Sequence, residues 1–235
     1  MSAVIIVDIR NFTPHCEILT KYCNIEPLKQ LIVNSIKRSV KIIDYIGVKC
    51  DVKILANYNH TGDGFLVTLD TKNVSFISIY FAQMLKYAII DEIKTFREKI
   101  KTILNGDDYK YLMHTKISYG MGIHKGEVEV YPFEYKLFDK DYTNYAFISN
   151  VINIASRIEQ STKDHGRKII CSKEVYANFE KEYFIYKRRH IDAENYFDRL
   201  GGHKYKGVDC LIYIYGVKPG LFASEAKEAL MNNEI

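Results

Sequence analysis

Apolar and polar residues along the chain follow two periods, one typical of strands and one typical of helices. Residues 3–7 form a continuous, largely β-branched apolar run, which predicts a strand buried on both faces of a sheet. The polar residues 8–13 then predict a loop. Between residue 26 and about residue 45, apolar residues recur every three or four positions, which predicts an amphipathic helix.

Further along the chain, the pattern predicts a hairpin and a long helix. Residues 51–56 and 64–69 are predicted strands, and residues 57–63 between them have the composition of a turn. A helix is predicted over residues 74–103 because its apolar positions keep the helical period.

A second hairpin is predicted over residues 113–123 and 127–131, with its turn at residues 124–126. Residues 132–144 lack a period, so we expect a mobile loop there. The remaining predicted elements are a helix over 147–160, a strand over 168–171, a helix over 172–179 capped by Ser172, extended segments over 184–188 and 210–217, and a short helix over 223–230.

The order of these elements predicts the fold class. Strand, helix, hairpin, helix, hairpin, helix and strand follow one another, as in an α+β, ferredoxin-like or split βαβ arrangement. We therefore expect a mostly antiparallel central sheet flanked by helices. The sequence contains no repeat or low-complexity linker, so residues 1–235 are predicted to form a single domain with a peripheral C-terminal helix.

Composition and charge exclude several classes of protein. The net charge of +4 is mild and the basic residues are interspersed with acids, so no nucleic-acid surface is expected, although a polyanionic small ligand is compatible. The five cysteines are odd in number and lack a CxxC spacing, which argues against disulfides or a zinc cluster and favours the cytoplasm. No apolar run is long enough to predict a membrane span.

Two acidic residues lie at the polar ends of predicted strands. Asp8 follows the first strand, and Asp63 belongs to a Thr-Gly-Asp-Gly turn before another. If the two strands are neighbours, the carboxylates converge and can hold one or two divalent cations such as Mg²⁺. The alternative is that Asp8 caps a helix and Asp63 is an ordinary turn residue.

Two further groups of residues could bind phosphate. Asn153 and Arg157 are four residues apart on the polar face of a predicted helix, where Arg can bind phosphoryl oxygens and Asn can orient a sugar. Lys206 lies in a predicted glycine-flanked basic loop, residues 201–207, that can contact a triphosphate. The alternatives are a solvated helix face, with Arg157 near Glu159, and a solvated turn.

Five segments, in this order, resemble the catalytic domain of class III nucleotidyl cyclases over about residues 3–217. The matching segments are Asp8-Ile9-Arg10-Asn11-Phe12-Thr13, Gly62-Asp63-Gly64-Phe65, Gly122-Ile123-His124-Lys125-Gly126-Glu127-Val128, Ile152-Asn153-Ile154-Ala155-Ser156-Arg157-Ile158-Glu159 and Lys206-Gly207. The ordered set is far more specific than any one motif.

The resemblance implies roles for individual residues. The metal ligands are two aspartates and one backbone carbonyl, which hold two Mg²⁺ or Mn²⁺ ions: Asp8, Asp63 and Ile9. The substrate contacts are Asn153 at the ribose, Arg157 at the α-phosphate, Lys206 at the outer phosphates and Phe12. In this family the aspartates and the Asn/Arg pair of one site come from different subunits, which implies a head-to-tail homodimer.

This sequence departs from purine cyclases at the two positions that read the base. Their Lys is replaced by Asn59, and their Asp, Thr or Cys is replaced by Ala146. Bulky neighbours, Tyr58 among them, could shrink the pocket. The pattern resembles the Pycsar pyrimidine cyclases of bacterial anti-phage defence, whose cyclic UMP or cyclic CMP activates a separate effector protein. UTP is favoured over CTP because an amide can satisfy the mixed edge of uracil.

Several other functions remain alternatives or are excluded. An adenylate or guanylate cyclase with atypical base recognition is the nearest alternative, and a catalytically silent nucleotide-binding homologue is another. Degenerate homologues usually lose a metal aspartate or the helix arginine, and both are present here. A diguanylate cyclase is excluded because its Gly-Gly-Asp/Glu-Glu-Phe hairpin is missing, and a polymerase palm because the chain lacks the basic surface for a duplex.

Overall fold

The computed structural model describes residues 1–137 and 140–235, with side chains described for residues 1–134 and 146–235. The elements, in chain order, are β1 (Ser2–Arg10), α1 (Phe12–Lys21), α2 (Glu26–Cys50), β2 (Leu55–His60), β3 (Gly64–Asp70), α3 (Val74–Ile103), α4 (Gly106–His114), β4 (Ser118–Gly126), β5 (Glu129–Leu137), β6 (Lys140–Ile148), α5 (Asn150–Asp164), β7 (Ile169–Ser172), α6 (Lys173–Lys187), β8 (Phe197–His203), β9 (Ile212–Val217) and α7 (Ala223–Met231).

Seven strands form the central sheet in the order β2-β3-β1-β4-β7-β9-β8. Every neighbouring pair is antiparallel except β4 with β7, which run parallel. Strands β5 and β6 pair separately as an antiparallel ribbon. The predicted α+β class with a mostly antiparallel sheet is confirmed.

The side chains of β1 alternate between two hydrophobic layers because successive residues of a strand point to opposite faces. Ile5 and Val7 belong to the main core beneath α2, α3 and α6. Val4 faces the opposite way and packs with Val151 and Ala155 of α5. Helix α5 therefore covers one face of the sheet and the larger helical layer covers the other.

The predicted loop over residues 8–13 is wrong. Strand β1 continues to Arg10, because the backbone of Asp8 pairs with Gly64 on one side and with Gly120 on the other. Helix α1 then begins at Phe12, after Asn11 adopts a left-handed conformation with φ of 61°. The sequence predicts too short a strand because the polar side chains at its end are typical of a loop.

The first hairpin is confirmed, but its first strand lies later than predicted. Strand β2 spans Leu55–His60, because the turn needs only residues 61–63. The N–H of Thr61 donates to the carbonyl of Gly64 at 3.1 Å, and Gly62 has a positive φ of 82° that suits glycine. The predicted helix over residues 74–103 is confirmed as α3.

Residues 106–137 depart most from the prediction. Met113 lies in helix α4 rather than in a strand, and α4 escapes detection because Leu112 is its one buried residue. The predicted loop over 132–144 is replaced at 132–137 and 140–144 by β5 and β6, while residues 138 and 139 lie outside the described residues.

Three smaller predictions are also wrong. Residues 147 and 148 lie in β6, and α5 begins at Asn150. Residues 184–187, expected to be extended, continue α6, whose Phe184 and Ile185 are partly exposed and so hide the helical period. Residues 201–203, expected to be a loop, belong to β8, which carries an irregularity between Arg199 and Gly201.

Helix α3 is the one described helix that is long and apolar enough to cross a membrane by length and composition. Of its most apolar window, 78% is buried inside the protein. It is therefore a core helix, and its apolar character is explained by packing against α2 and the sheet.

Candidate active site

Asp8 and Asp63 are held together by backbone hydrogen bonds. Strand β1 pairs with β3 in a register that sets Asp8 opposite Gly64, the residue after Asp63. The N–H of Ile9 also donates to the backbone carbonyl of Asp63 at 3.0 Å. The condition for the two carboxylates to converge is therefore met, because the strands that carry them are neighbours.

The electrostatic surroundings of Asp8 favour a bound cation. Burial raises the pKa of its carboxyl, and the nearby charge of Asp63 raises it further, while Lys163 and Arg10 act in the opposite direction. The Lys163 ammonium is 4.0 Å from the Asp8 carboxylate. A divalent cation would offset the repulsion between the two aspartates, and carboxylate and carbonyl oxygens are the ligands that Mg²⁺ and Mn²⁺ accept.

Two glycines on the strands beside β1 permit close contacts around Asp8. A Cβ at Gly64 would collide with the carbonyl oxygen of Val7 and lie 3.1 Å from the Asp8 Cα. A Cβ at Gly120 would collide with the carboxylate of Glu159. Gly64 is thus required by close approach of the β1 backbone, and Gly120 leaves space for the side chains of Glu159, Arg10 and Thr162.

A network that the sequence did not predict surrounds Asp8. Arg10 pairs with Glu159 of α5 at 3.8 Å and donates a short hydrogen bond to Thr162. Glu159 is buried, and burial together with the charge of Asp8 raises its pKa. Glu159, Thr162 and Lys163 are spaced to share one face of α5, and this spacing was the one sequence feature that could have indicated the network. Polar residues at such spacing are also typical of an ordinary solvated helix face.

Asn153, Arg157 and Lys206 lie together at a separate cavity of about 370 Å³. Arg157 donates a hydrogen bond to the side chain of Gln160 at 3.0 Å, and Asn153 is exposed. The alternative in which Arg157 associates with Glu159 does not hold, because Glu159 turns towards Arg10. The side chains predicted to contact ribose and phosphate therefore share one concave surface.

Helix α5 presents this polar face because its opposite face packs closely on the sheet. Val151, Ile154 and Ile158 are buried there. Gly122 of β4 permits the contact, since a Cβ at that position would collide with the backbone of α5. Ser149 caps the helix by accepting a hydrogen bond from the N–H of Val151 at 3.1 Å.

The Lys206 segment is anchored to α5 by its neighbours. The hydroxyls of Tyr205 and Ser161 are 2.9 Å apart, and Val208 packs with Ile158. Gly207 has a positive φ of 80°, which turns the chain after Lys206. This arrangement places the lysine at the same cavity as Arg157.

The two groups of candidate residues do not meet within one chain. Neither Asp8 nor Asp63 lines the cavity of Arg157 and Lys206. Helix α5 separates the groups, because Lys163 and Glu159 face β1 while Arg157 faces the cavity.

The positions predicted to surround the base lie on different faces. Asn59 is exposed on β2 opposite Leu66, on the same face of the sheet as α5. The Tyr58 side chain faces the helical layer, where its hydroxyl accepts a hydrogen bond from Ser39 at 3.1 Å, and burial raises its pKa to about 12. Ala146 is half-buried on β6, opposite Tyr131.

Ile9 and Phe12, the other two predicted site residues, have side chains that pack in or against the main core. The Ile9 side chain is buried in the main core, so its backbone alone can face the aspartates. Phe12 is half-buried at the start of α1 and packs against the same core. No group of three or more His, Cys, Asp or Glu side chains lies close enough to bind a metal among the described residues, so the predicted ligand set is limited to two carboxylates and backbone oxygen.

One comparison with known proteins identifies a family. The sequence matches the model of the adenylate and guanylate cyclase catalytic domain over residues 2–203. A comparison with curated protein sequences finds no match.

Solved cyclase structures share the fold. The guanylyl cyclase Cya2 superposes with a TM-score of 0.59 at 18% identity, covering 92% of this chain and 90% of that one. The adenylyl cyclase CyaB from P. aeruginosa gives 0.56 at 20% identity, covering 93% and 94%. A bacterial light-regulated adenylyl cyclase gives 0.52 at 16% identity, covering 100% and 97%.

Proposed function

The chain belongs to the family of adenylate and guanylate cyclase catalytic domains, and we propose that it converts a pyrimidine nucleoside triphosphate to its 3′,5′-cyclic nucleotide and pyrophosphate. The observation that carries the pyrimidine proposal lies at the positions where purine cyclases read the base. Asn59 is an exposed neutral amide, and Ala146 has no polar side-chain atom. The cation and the acceptor that would recognise a purine are both missing.

Asp8, Asp63 and the backbone carbonyl of Ile9 would hold two Mg²⁺ or Mn²⁺ ions. The fit rests on the two neighbouring carboxylates, which repel each other and raise the pKa of Asp8. When bound, the ions would lower the pKa of the substrate 3′-hydroxyl and neutralise charge on the phosphates. Lys163, which now contacts Asp8, partly compensates the same negative charge.

Residues at the second cavity would orient the substrate and stabilise the charge that develops. Asn153 would hydrogen-bond the ribose, and Arg157 would bind the α-phosphate oxygens with its planar guanidinium. Lys206, at the same cavity, would bind the outer phosphates. The family resemblance implies four roles: metal binding, and contacts to the ribose, to the α-phosphate and to the outer phosphates. The metal ligands form an acidic surface, and the residues for the other three roles form a basic one.

The reaction requires no covalent bond to the protein. The 3′-oxygen attacks the α-phosphorus, the bond from that phosphorus to the bridging oxygen breaks, and the electron pair leaves with pyrophosphate. The hydroxyl proton passes to solvent. Catalysis therefore consists of alignment and charge stabilisation, which is what Asn153, Arg157 and Lys206 can supply.

A head-to-tail homodimer would complete both sites. In one chain the aspartates lie near the Lys163 face of α5, whereas Asn153 and Arg157 line a cavity that includes neither aspartate. A two-fold axis would bring the aspartates of one subunit to the cavity of the other, which gives two equivalent sites.

UTP is the preferred substrate under this proposal. The side-chain amide of Asn59 both donates and accepts hydrogen bonds, which suits the mixed edge of uracil. CTP is the second pyrimidine candidate because the same amide can rotate to serve cytosine. By its resemblance to the Pycsar cyclases, the chain would act in the cytoplasm, where its cyclic product would activate a separate effector protein in anti-phage defence.

A purine substrate is the main competing function. The solved structures that share the fold include adenylyl and guanylyl cyclases. Reinstating the purine pattern with Asn59→Lys and Ala146→Asp tests the base assignment. We expect the rate ratio of purine to pyrimidine triphosphates to rise about tenfold, because one charged hydrogen bond gained or lost is worth about that factor.

A matched control for the Asn59→Lys part of this exchange is Asn57→Lys. Asn57 lies two residues away on the same face of β2, so it adds the same charge without occupying the base-reading position. If the control changes the ratio as much as the exchange does, or if the exchange leaves it unchanged, Asn59 and Ala146 do not read the base.

A further inference from the structure

A second cavity lies on the helical side of the sheet, apart from both halves of the candidate active site. Its volume is about 780 Å³, and its walls are the C-terminal part of α3, the start of β4 and the turn before β7. Neither Asp8 nor Arg157 lines it. Its size falls within the range of pockets that bind small molecules.

Cationic side chains dominate the polar wall of this cavity: Lys86, Lys94, Arg97, Lys101, Arg167 and Lys168. The one acid among the described lining residues, Glu98, pairs with Lys101 at 2.8 Å, and Arg167 pairs with Asp198. The other four cations have no carboxylate within ion-pair distance in the described part of the chain. Uncompensated charges of one sign around a concave surface attract an anion.

Two of these cations are held partly out of water. Burial lowers the pKa of Lys86, and burial together with the charge of Arg10 lowers the pKa of Lys168. Lys168 donates a hydrogen bond to the Ser118 hydroxyl at 3.1 Å. An anion bound anywhere in this cavity would favour the charged form of both amines, since an opposite charge nearby stabilises an ammonium.

A buried amide at the same cavity lacks part of its hydrogen bonding. The Gln83 side chain is fully buried, and its nitrogen donates to the carbonyl of Lys218 at 3.2 Å. Its oxygen has no partner among the described residues. Because a buried polar atom without a partner is costly, this oxygen is available to a ligand that carries an N–H or O–H donor.

The remaining lining is apolar and includes Ile93, Ile117 and the ring of Tyr119. We propose that this cavity binds a nucleotide-like small molecule, with its phosphate at Lys94 and Arg97, its flat body against the apolar wall and a donor group at the Gln83 oxygen. The three features match the three parts of such a ligand. The site is distinct from the active site and would be occupied independently of turnover.

Isothermal titration calorimetry with AMP, GMP, CMP and UMP tests this proposal. We expect at least one of the four to bind the full chain at one molecule per chain, and Arg157→Ala to keep that affinity within about twofold. The double variant Lys94→Met and Arg97→Met should weaken binding about tenfold or more, because it removes charge while keeping the aliphatic stems. The control Lys53→Met and Lys72→Met changes two exposed lysines elsewhere and should bind normally.

Four results would overturn the proposal: no binding of any monophosphate at about millimolar concentration, equal weakening in the control, loss of binding in Arg157→Ala, or inorganic pyrophosphate binding as tightly as the monophosphates. The last would identify a bare phosphate site without use of the apolar wall. Circular dichroism verifies that each variant is folded. If the double variant has a lower melting temperature than the wild type, the test is repeated with Lys94→Met alone.

Discussion

The N–H of Ile9 donates a hydrogen bond to the backbone carbonyl of Asp63 at 3.0 Å. This bond joins the end of β1 to the turn between β2 and β3, and it brings Asp8 beside Asp63. Backbone structure, rather than two flexible side chains, therefore sets the spacing of the carboxylates. Such preorganisation suits a site that must hold cations in a fixed geometry.

Asp8→Asn should separate the catalytic role of this carboxylate from its effect on stability. We expect cyclase activity to fall about 10³-fold or more, since metal coordination contributes several kcal/mol to the transition state. The metal-free protein should melt about 1 to 4 °C higher, because the charged form of Asp8 is disfavoured by burial and by Asp63. Rate assays and calorimetric melting measure the two effects.

Asp70→Asn is the matched control for this prediction. Asp70 ends β3 at the opposite end of the strand and is exposed, so its loss should alter neither activity nor melting temperature. Retention of cyclase activity in Asp8→Asn would refute the metal assignment.

A mixture of two inactive variants tests whether the site is shared between subunits. Asp8→Ala and Arg157→Ala should each be inactive alone. When equal amounts are mixed and allowed to exchange, about half of the dimers are mixed, and each of these has one intact site. Activity should therefore recover to about one quarter of wild type. The rate of cyclic nucleotide formation after mixing is the measurement.

A mixture of Asp8→Ala with Asp63→Ala is the control, because both changes lie on the same half-site and no intact site can form. Equal recovery in this control, or no recovery in the first mixture, would contradict a site completed by two subunits.

Because α5 lies close to the sheet, a methyl group added at a glycine of β4 should lower the free energy of unfolding by an amount that depends on what the methyl group contacts. Gly122→Ala should destabilise the protein by about 1 to 3 kcal/mol, because the new Cβ meets the backbone of α5. Gly126→Ala should cost less, since its Cβ meets one methyl group of Val151 rather than backbone, and a side chain can shift more easily than the helix backbone. Urea unfolding of both variants measures the difference, and equal losses would show that α5 is not held against the backbone of β4.

Sequence patterns predict the core better than they predict the site, for physical reasons. The helix over residues 74–103 is found because most of its residues are buried and keep the helical period. Helix α4 is missed because it buries Leu112 alone. The length of β1 is missed because Asp8 and Arg10, polar but paired on both sides, resemble loop residues.

The candidate site shows a similar division. The common face of Asn153 and Arg157 follows from helical spacing, which a local pattern can predict, whereas the grouping of Arg157 with Lys206 was implied only by the family resemblance. The contact of Lys163 with Asp8 depends on how closely α5 crosses β1. That distance is set by Gly120 and Gly122 on a third element, and spacing along the chain carries no information about it.

The ion pair between Lys187 and Glu225 predicts a pH-dependent part of the stability. Although burial opposes it, hydrogen bonds from Tyr80 and Lys187 hold the pKa of Glu225 below its ordinary value. A lowered pKa means that the stabilisation is present above the ordinary Glu range and is lost as pH falls through the lower folded value. Glu225→Gln should cost about 1 to 2 kcal/mol near neutral pH and little in acid.

Urea unfolding between about pH 3 and pH 7 measures this difference. Glu228→Gln on the exposed face of α7 is the control and should cost nothing at any pH. A cost for Glu225→Gln that does not change with pH would contradict the charge-based explanation.

The identity of the cyclic product tests the central proposal most directly. The purified chain is given ATP, GTP, CTP and UTP separately, with Mg²⁺ or Mn²⁺, and the products are identified by mass spectrometry. We expect cyclic UMP as the main product, cyclic CMP in second place and none in Asp63→Asn. Exclusive turnover of ATP or GTP would contradict the pyrimidine assignment, and no cyclic product from any triphosphate would contradict the catalytic one.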